Sequence, residues 1–209
     1  VVKLDPEQNE QLWGAWRWYQ ETGNGFPADW GAHMYDIVQA ALGMDGLGPV
    51  EFIPQGYKGA KYAMMKYANG IEMTEQPYRE DNPDAQGIKF IGDKGWIKVA
   101  RGYLECSDPS LIKKKEQKIE KGQYEVSSPH MQNFIDAIRS HTDPIAPVEY
   151  GTSTNTLCCL TNIARELNRP VRWNPATLNF EGDKEAAAHR LYYYEYRRPY
   201  RLPYLDKRC

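Results

Sequence analysis

The sequence predicts an α+β fold, an open and mainly antiparallel or mixed β-sheet with helices packed on one face. Three observations lead there. Between Pro49 and Cys106 five or six strand signals succeed one another with no helical pattern among them, which argues against a doubly wound sheet, whose strands alternate with helices. Two of the joins, Asn69-Gly70 and Gly92-Asp93-Lys94-Gly95, carry the residue types that tight hairpins demand. Helical periodicity is confined to the segments before and after this run. With 209 residues and 41% hydrophobic content the chain can build a sizeable core, so a single domain over 1–209 is expected, with a lead-in at 1–12 and an extended arm at 192–209.

Taken in order, residues 1–12 are polar and open the chain as a lead-in or short helix. Leu12–Tyr19 alternates large aromatic side chains with small or charged ones, which reads as a strand or extended arm with Trp16 and Trp18 on one face and Arg17 on the other. Three tryptophans so close together point to a core. After the Gly23-Asn24-Gly25 turn, Pro27–Gly43 is a helix: Trp30, Met34, Ile37, Val38 and Ala41 form an apolar stripe, Asp29 can accept first-turn N–H bonds, and Gly43 stands where a left-handed cap is wanted.

The strands follow at Pro49–Ile53, in the two arms of a hairpin within Tyr62–Gln76, and at Ile88–Ile91, Trp96–Ala100 and Tyr103–Cys106. Ser127-Ser128-Pro129 then caps a helix whose stripe is Met131, Phe134, Ile135 and Ile138. A longer helix from Gly151 to Leu167 carries Leu157, Leu160, Ala164 and Leu167, and Asn168-Arg169-Pro170 ends it. Val171-Arg172-Trp173 is a short strand and Asp183–Leu191 a short helix. The remaining tyrosines, from Tyr192 through Tyr204 among arginines and prolines, cannot make a core of their own, so the arm is expected to pack across the body or onto a neighbouring subunit. Helices are also too few to cover both faces of the sheet, which implies a homodimer or larger assembly through an apolar sheet face.

Charge and cysteines narrow the function classes. A formal net charge of -2 and a pI of about 6.1 give no basic field for nucleic acid, and Lys113-Lys114-Lys115 sits among Glu116, Lys118 and Glu120 as a solvated segment. There is no 18-residue apolar run and no signal-peptide core, so neither a membrane span nor an export address is read here. Val1 looks like a cut inside a longer protein, and the compartment, cytoplasmic or periplasmic, stays open. Cys106, Cys158, Cys159 and Cys209 show no CxxC spacing, and the adjacent pair lies inside an apolar helical pattern, as buried small hydrophobes do.

The chemistry concentrates on one face of the Pro27–Gly43 helix, where Asp29, His33 and Asp36 recur at helical spacing beside a second, apolar stripe. Three roles fit that face. Histidine, the side chain whose charge changes nearest neutrality, can move a proton on a substrate hydroxyl while a carboxylate one turn away fixes its tautomer. One imidazole and two carboxylates can hold a divalent metal. Or the histidine is satisfied by an aspartate in an ordinary core. Arg17, led into the helix by the glycine turn, can point to the same pocket, with Trp18 beside it.

Asp29-Trp30-Gly31-Ala32-His33-Met34-Tyr35-Asp36, followed by Ala41-Leu42-Gly43, resembles the DxxxHxxD helix in the second domain of the glucose-fructose oxidoreductase, inositol dehydrogenase and rhizopine-catabolism protein family (Gfo/Idh/MocA). Trp16-Arg17-Trp18, Gly23-Asn24-Gly25, Phe134-Ile135-Asp136-Ala137-Ile138-Arg139 and Arg169-Pro170-Val171-Arg172-Trp173-Asn174-Pro175 are similar to successive landmarks of that C-terminal domain, over nearly the whole chain. The resemblance implies that His33 is the acid-base taking the proton from a sugar hydroxyl as hydride leaves to a nicotinamide. It implies too that Asp29 lines the same pocket and that Asp36 has a supporting place; Asp36, Arg17 and Trp18 are expected as substrate-binding residues. Full-length members pair this domain with an N-terminal Rossmann domain that binds NAD or NADP. Gly23-Asn24-Gly25 lacks the third glycine of a dinucleotide fingerprint and Glu120-Lys121-Gly122 departs from the family's Glu-Lys-Pro, so no cofactor-binding residues are expected in this chain, and no metal.

The expectation is therefore the substrate and oligomerisation domain of an NAD(P)-dependent oxidoreductase acting on a carbohydrate, inactive by itself. Two other classes stay open: an NAD-using glycoside hydrolase of related architecture, and a non-catalytic module that dimerises through its sheet.

Overall fold

The computed structural model describes residues 15–20, 22–79, 81–82, 85–112, 130–192 and 196–200. They form an α+β structure with antiparallel sheets. The chain divides into two compact units, Val1–Gly48 with Gln76–Thr156 and Pro49–Glu75 with Leu157–Cys209. The lead-in at 1–12, Trp13, the lysine run, the Ser127–Pro129 cap, Tyr193, Tyr194, Tyr204 and Cys209 lie outside the described residues.

The first unit opens with a 3-10 helix, Ala15–Trp18, where alternation had suggested a strand. A strand needs a partner for its carbonyls, and here the glycine turn takes them: Gly25 N–H donates to Arg17 O, and the Gly23 and Asn24 N–H groups donate to Tyr19 O. A Cβ on Gly23 would sit 2.3 Å from the Arg17 backbone, so the close fold-back requires glycine. Trp16 is 55% exposed and Trp18 is also open, so these rings are not the core the sequence pointed to.

Helix α1, Phe26–Leu42, follows. Its start differs from the expectation. Gly25 occupies the N-cap position, Pro27 lies inside the first turn, and no side chain caps the helix. Its end is as read: Gly43 at φ 64 donates to Ala40 O while Met44 N–H reaches Gln39 O. The buried face is Gly31, Tyr35, Val38 and Gln39 instead of Trp30, Met34, Ile37 and Ala41, about one residue or 100° round the helix. Gln39 anchors that face, donating from Nε2 to Met44 O and to Ser153 Oγ, both at 3.1 Å. Strands β1 (Glu51–Ile53), β2 (Met64–Lys66) and β3 (Glu72–Thr74) belong to the second unit. Here β4 (Ile88–Gly92), β5 (Gly95–Ala100) and β6 (Tyr103–Cys106) form a separate three-stranded antiparallel meander. Helix α2, His130–Ser140, buries no residue: its expected core stripe is exposed, Phe134 at 54%.

The second unit holds a five-stranded sheet in the order β3-β2-β1-β7-β8. Its strands are β1 (Glu51–Ile53), β2 (Met64–Lys66), β3 (Glu72–Thr74), β7 (Val171–Asn174) and β8 (Asn179–Phe180). The strand signals thus divide between two sheets, where one was expected. Asn69-Gly70 makes the β2–β3 turn as read, with Gly70 at φ 87 and Asn69 Oδ1 accepting Ile71 N–H. Phe52 pairs in register with Met65 on one side and Val171 on the other, and all three are buried. Helix α3, Val148–Leu167, begins in the first unit and runs on from Leu157 in the second. There Leu157, Leu160, Ile163 and Ala164 are buried, and Thr161 and Ala164 line a small space with Phe52 and Met65. Asn168, at φ 50, ends the helix as the sequence indicated.

The short helix predicted at Asp183–Leu191 is the single turn α4, Lys184–Ala187, with Asp183 capping it through Ala186 N–H at 3.0 Å. Tyr192 packs edge-on against Trp173 and Phe180, so the start of the arm does lie on the body. Cys158 is buried and its thiol is pushed up to about 12 by that burial, as a small hydrophobe's would be.

Candidate functional site

The chemistry-bearing face of α1 is open to solvent. His33 and Asp36 are exposed and Asp29 is partly so, because the helix turns Gly31, Tyr35 and Val38 inward. Gly25 makes this possible: its positive φ of 75 brings Arg17 and Trp18 back against the first turn. The Arg17 Nε lies 3.8 Å from Asp29 Oδ2, its guanidinium stacks 5.1 Å from the Trp18 ring, and Trp18 stacks on Phe26 at 6.0 Å. Arg17 and Trp18, read from the sequence as neighbours of the ligand, thus reach the same end of the helix as Asp29.

His33 meets the edge of the Trp30 ring at 5.9 Å. Among the described residues no carboxylate bonds to its imidazole, so the tautomer-fixing partner one turn away is not formed. Asp29 faces Arg17 instead, and Asp36 accepts a hydrogen bond from Thr154 Oγ1 at 3.2 Å. The spacing allows either aspartate to meet His33, but each is turned to a partner off the helix. The metal role loses its geometry for the same reason. Among the described residues no three His, Cys, Asp or Glu side chains approach closely enough to hold an ion.

Asp36 also lines a cavity of about 460 Å³ with Ala146, Pro147, Val148, Thr152 and Asn155, all within the first unit. Its wall is the first turn of α3, whose Tyr150 N–H closes onto Pro147 O.

One residue escaped the sequence entirely. Arg101 sits in the two-residue turn between β5 and β6, and its guanidinium carbon lies 5.3 Å from the Trp30 ring centroid. The Arg101-Gly102 dipeptide was the available signal, since a glycine able to take φ 70 after a basic residue marks an exposed tip, but nothing in the sequence tells which ring that tip meets.

The Gly23-Asn24-Gly25 turn ahead of α1 spends its N–H groups on Arg17 O and Tyr19 O, Pro27 removes a donor from the first turn, and Asp29 adds a carboxylate there, so this turn is not built as a phosphate cradle. No helix among the described residues is long and apolar enough to cross a membrane.

A family model described as the oxidoreductase family, C-terminal alpha/beta domain (GFO_IDH_MocA_C2), matches residues 3–202. No curated protein and no solved structure matches.

Proposed function

The chain belongs to the Gfo/Idh/MocA oxidoreductase family as a C-terminal alpha/beta domain, and on that premise we propose that it binds the substrate of an NAD(P)-dependent oxidoreductase acting on a sugar or polyol hydroxyl. The family generally uses NAD(P), and a hydride acceptor of that kind is held by a dinucleotide-binding domain, not by the described residues. His33 takes the proton of the reacting hydroxyl. Asp29 and Arg17 set the polarity of the helix face beside it, Trp30 offers an apolar surface to the sugar's C–H groups, and Asp36, which lines the cavity at the other end of that face, holds a hydroxyl.

The observation that carries this reading is that His33 stands open to solvent beside an aromatic ring while the opposite flank of its helix is buried. In the full-length enzyme, His33→Ala should lower turnover on the order of 10²-fold with a modest change in KM, since general acid-base catalysis typically contributes that much. Unchanged turnover removes the role. The 209-residue chain titrated with NADH should give no saturable micromolar binding; a saturable heat would mean a cofactor site within it.

A second reading draws on the open stripe of α2, where Met131, Phe134 and Ile138 are exposed. It takes the chain as a module that pairs with a second copy. Sedimentation at micromolar concentration tests it: a clean monomer sinks the pairing, and a dimer whose His33→Ala variant keeps all activity would favour a purely structural role.

A further inference from the structure

We propose that Arg101 selects a carboxylate-bearing sugar over a neutral one at the His33 site, an inference that rests on the substrate-binding reading above. The Trp30 ring is the common element. The Arg101 guanidinium carbon lies 5.3 Å from its centroid and the His33 ring meets it edge-on at 5.9 Å, so both groups border the same indole. Gly102 at φ 70 holds Arg101 at the tip of the β5–β6 hairpin, where Ala100 and Tyr103 are paired, so the guanidinium is presented from a two-residue turn and not from a long loop.

Stacking on a ring face consumes none of the five guanidinium donors. A guanidinium held over a ring keeps its N–H donors for another partner, and a carboxylate can take two of them in parallel. The local charges leave Arg101 uncompensated. Arg17 faces Asp29 at 3.8 Å, Lys98 pairs with Glu105 at 3.7 Å, and among the described residues no carboxylate pairs with Arg101. Among the described residues Arg101 is the one cation stacked on Trp30, and a single cation there matches a single carboxylate. A phosphate dianion would call for a second, and Arg17 is already engaged. The ligand is then a sugar acid, with the reacting hydroxyl at His33 and the carboxylate at Arg101.

The test is calorimetric titration of the 209-residue chain with sodium glucuronate, glucose and glucose 6-phosphate. Glucuronate should bind about tenfold or more tighter than glucose, the range of a charge-assisted hydrogen-bonded pair. The preference should shrink between 50 and 300 mM salt, because the pair is exposed. Arg101→Ala should abolish the preference without changing glucose affinity, and Arg101→Lys, which keeps the charge but loses the flat fork, should restore only part of it. Equal binding of the two sugars, no binding of either, or a preference that survives Arg101→Ala overturns the proposal. Tighter binding of glucose 6-phosphate overturns the carboxylate assignment. His33→Ala should leave the glucuronate preference intact. If that variant also keeps full turnover in the full-length enzyme, the acid-base reading fails while the Arg101 assignment stands; the reverse pattern sinks Arg101 alone.

Discussion

Two helices with similar apolar promise end in opposite circumstances. The part of α3 from Leu157 onward, in the second unit, buries Leu157, Leu160, Ile163 and Ala164, the last lining a small space with Phe52 and Met65 of the β1–β2 strands. Helix α2, in the first unit, repeats Met131, Phe134, Ile135 and Ile138 with helical periodicity and buries none of them. The same contrast runs through both units. In the second, Arg169 joins both oxygens of Asp183 and also Glu185, and Glu166 receives both His189 and Arg190. In the first, Trp16, Trp18, Tyr19 and Phe26 stand open beside the chemistry-bearing face of α1. Periodicity says which side of a helix wants to leave water; it does not say whether this chain supplies the cover.

The largest effect should fall in the second unit. Ile163 is fully buried, so Ile163→Ala should cost about 2–5 kcal/mol in urea unfolding, through lost transfer energy plus the cavity left behind. An effect below about 1 kcal/mol would mean that the packing around α3 is loose and the contrast false. Gln39→Ala is the corresponding probe of the first unit. Its amide is wholly buried and donates to Met44 O and Ser153 Oγ, so its loss strands those acceptors and should cost about 1–3 kcal/mol. A neutral result would leave the first unit without a firm anchor.

Asp183→Ala should cost about 1 kcal/mol as a lost cap of α4. The hydrogen bonds from Arg169 hold the Asp183 carboxyl below the usual carboxylate range, so its contribution is fully present above about pH 4 and disappears as pH falls through the depressed value. Melting temperature between pH 6 and 2 should therefore fall less steeply in Asp183→Asn than in the parent. The smallest effect belongs to α2: Phe134→Ala should change stability by no more than about 0.5 kcal/mol. A loss comparable to that of Ile163→Ala would show the stripe to be covered, and dependence of that loss on protein concentration would identify a second copy as the cover.

How much of this was legible in the sequence follows from the same distinction. Hairpins were readable because Asn69-Gly70 and Gly92 through Gly95 encode backbone geometry locally, and Gly43 and Asn168 encode helix ends. The composition of the α1 face was readable too. What it touches was not: Arg17 reaching Asp29, Thr154 reaching Asp36 and Arg101 reaching Trp30 join residues from separate elements. The aromatic run at 16–19 was misjudged because alternation of size is the same whether a segment pairs as a strand or closes onto a turn, and only the glycines after it decide. The split into two sheets was equally hidden, since a run of antiparallel strands reads alike whether consecutive hairpins pair with one another or with a later strand such as β7.

Gly31 carries a consequence for the bearing of the whole helix. Helix α1 offers two apolar seams about 100° apart, one through Trp30, Met34 and Ile37, the other through Tyr35 and Val38, and nothing in the backbone itself prefers either. The tie is broken by a missing methyl. A Cβ on Gly31 would lie 2.9 Å from the Tyr35 ring, so only glycine lets that ring rest along the helix and draw the second seam inward. An alanine there would gain about 1 kcal/mol of helix propensity and so look like a harmless stabiliser. It would instead press on a rigid ring and favour the other seam, swinging His33 with the helix. The mutation would then read as a compass error: a sound fold by circular dichroism, with His33 less open to diethyl pyrocarbonate than in the parent.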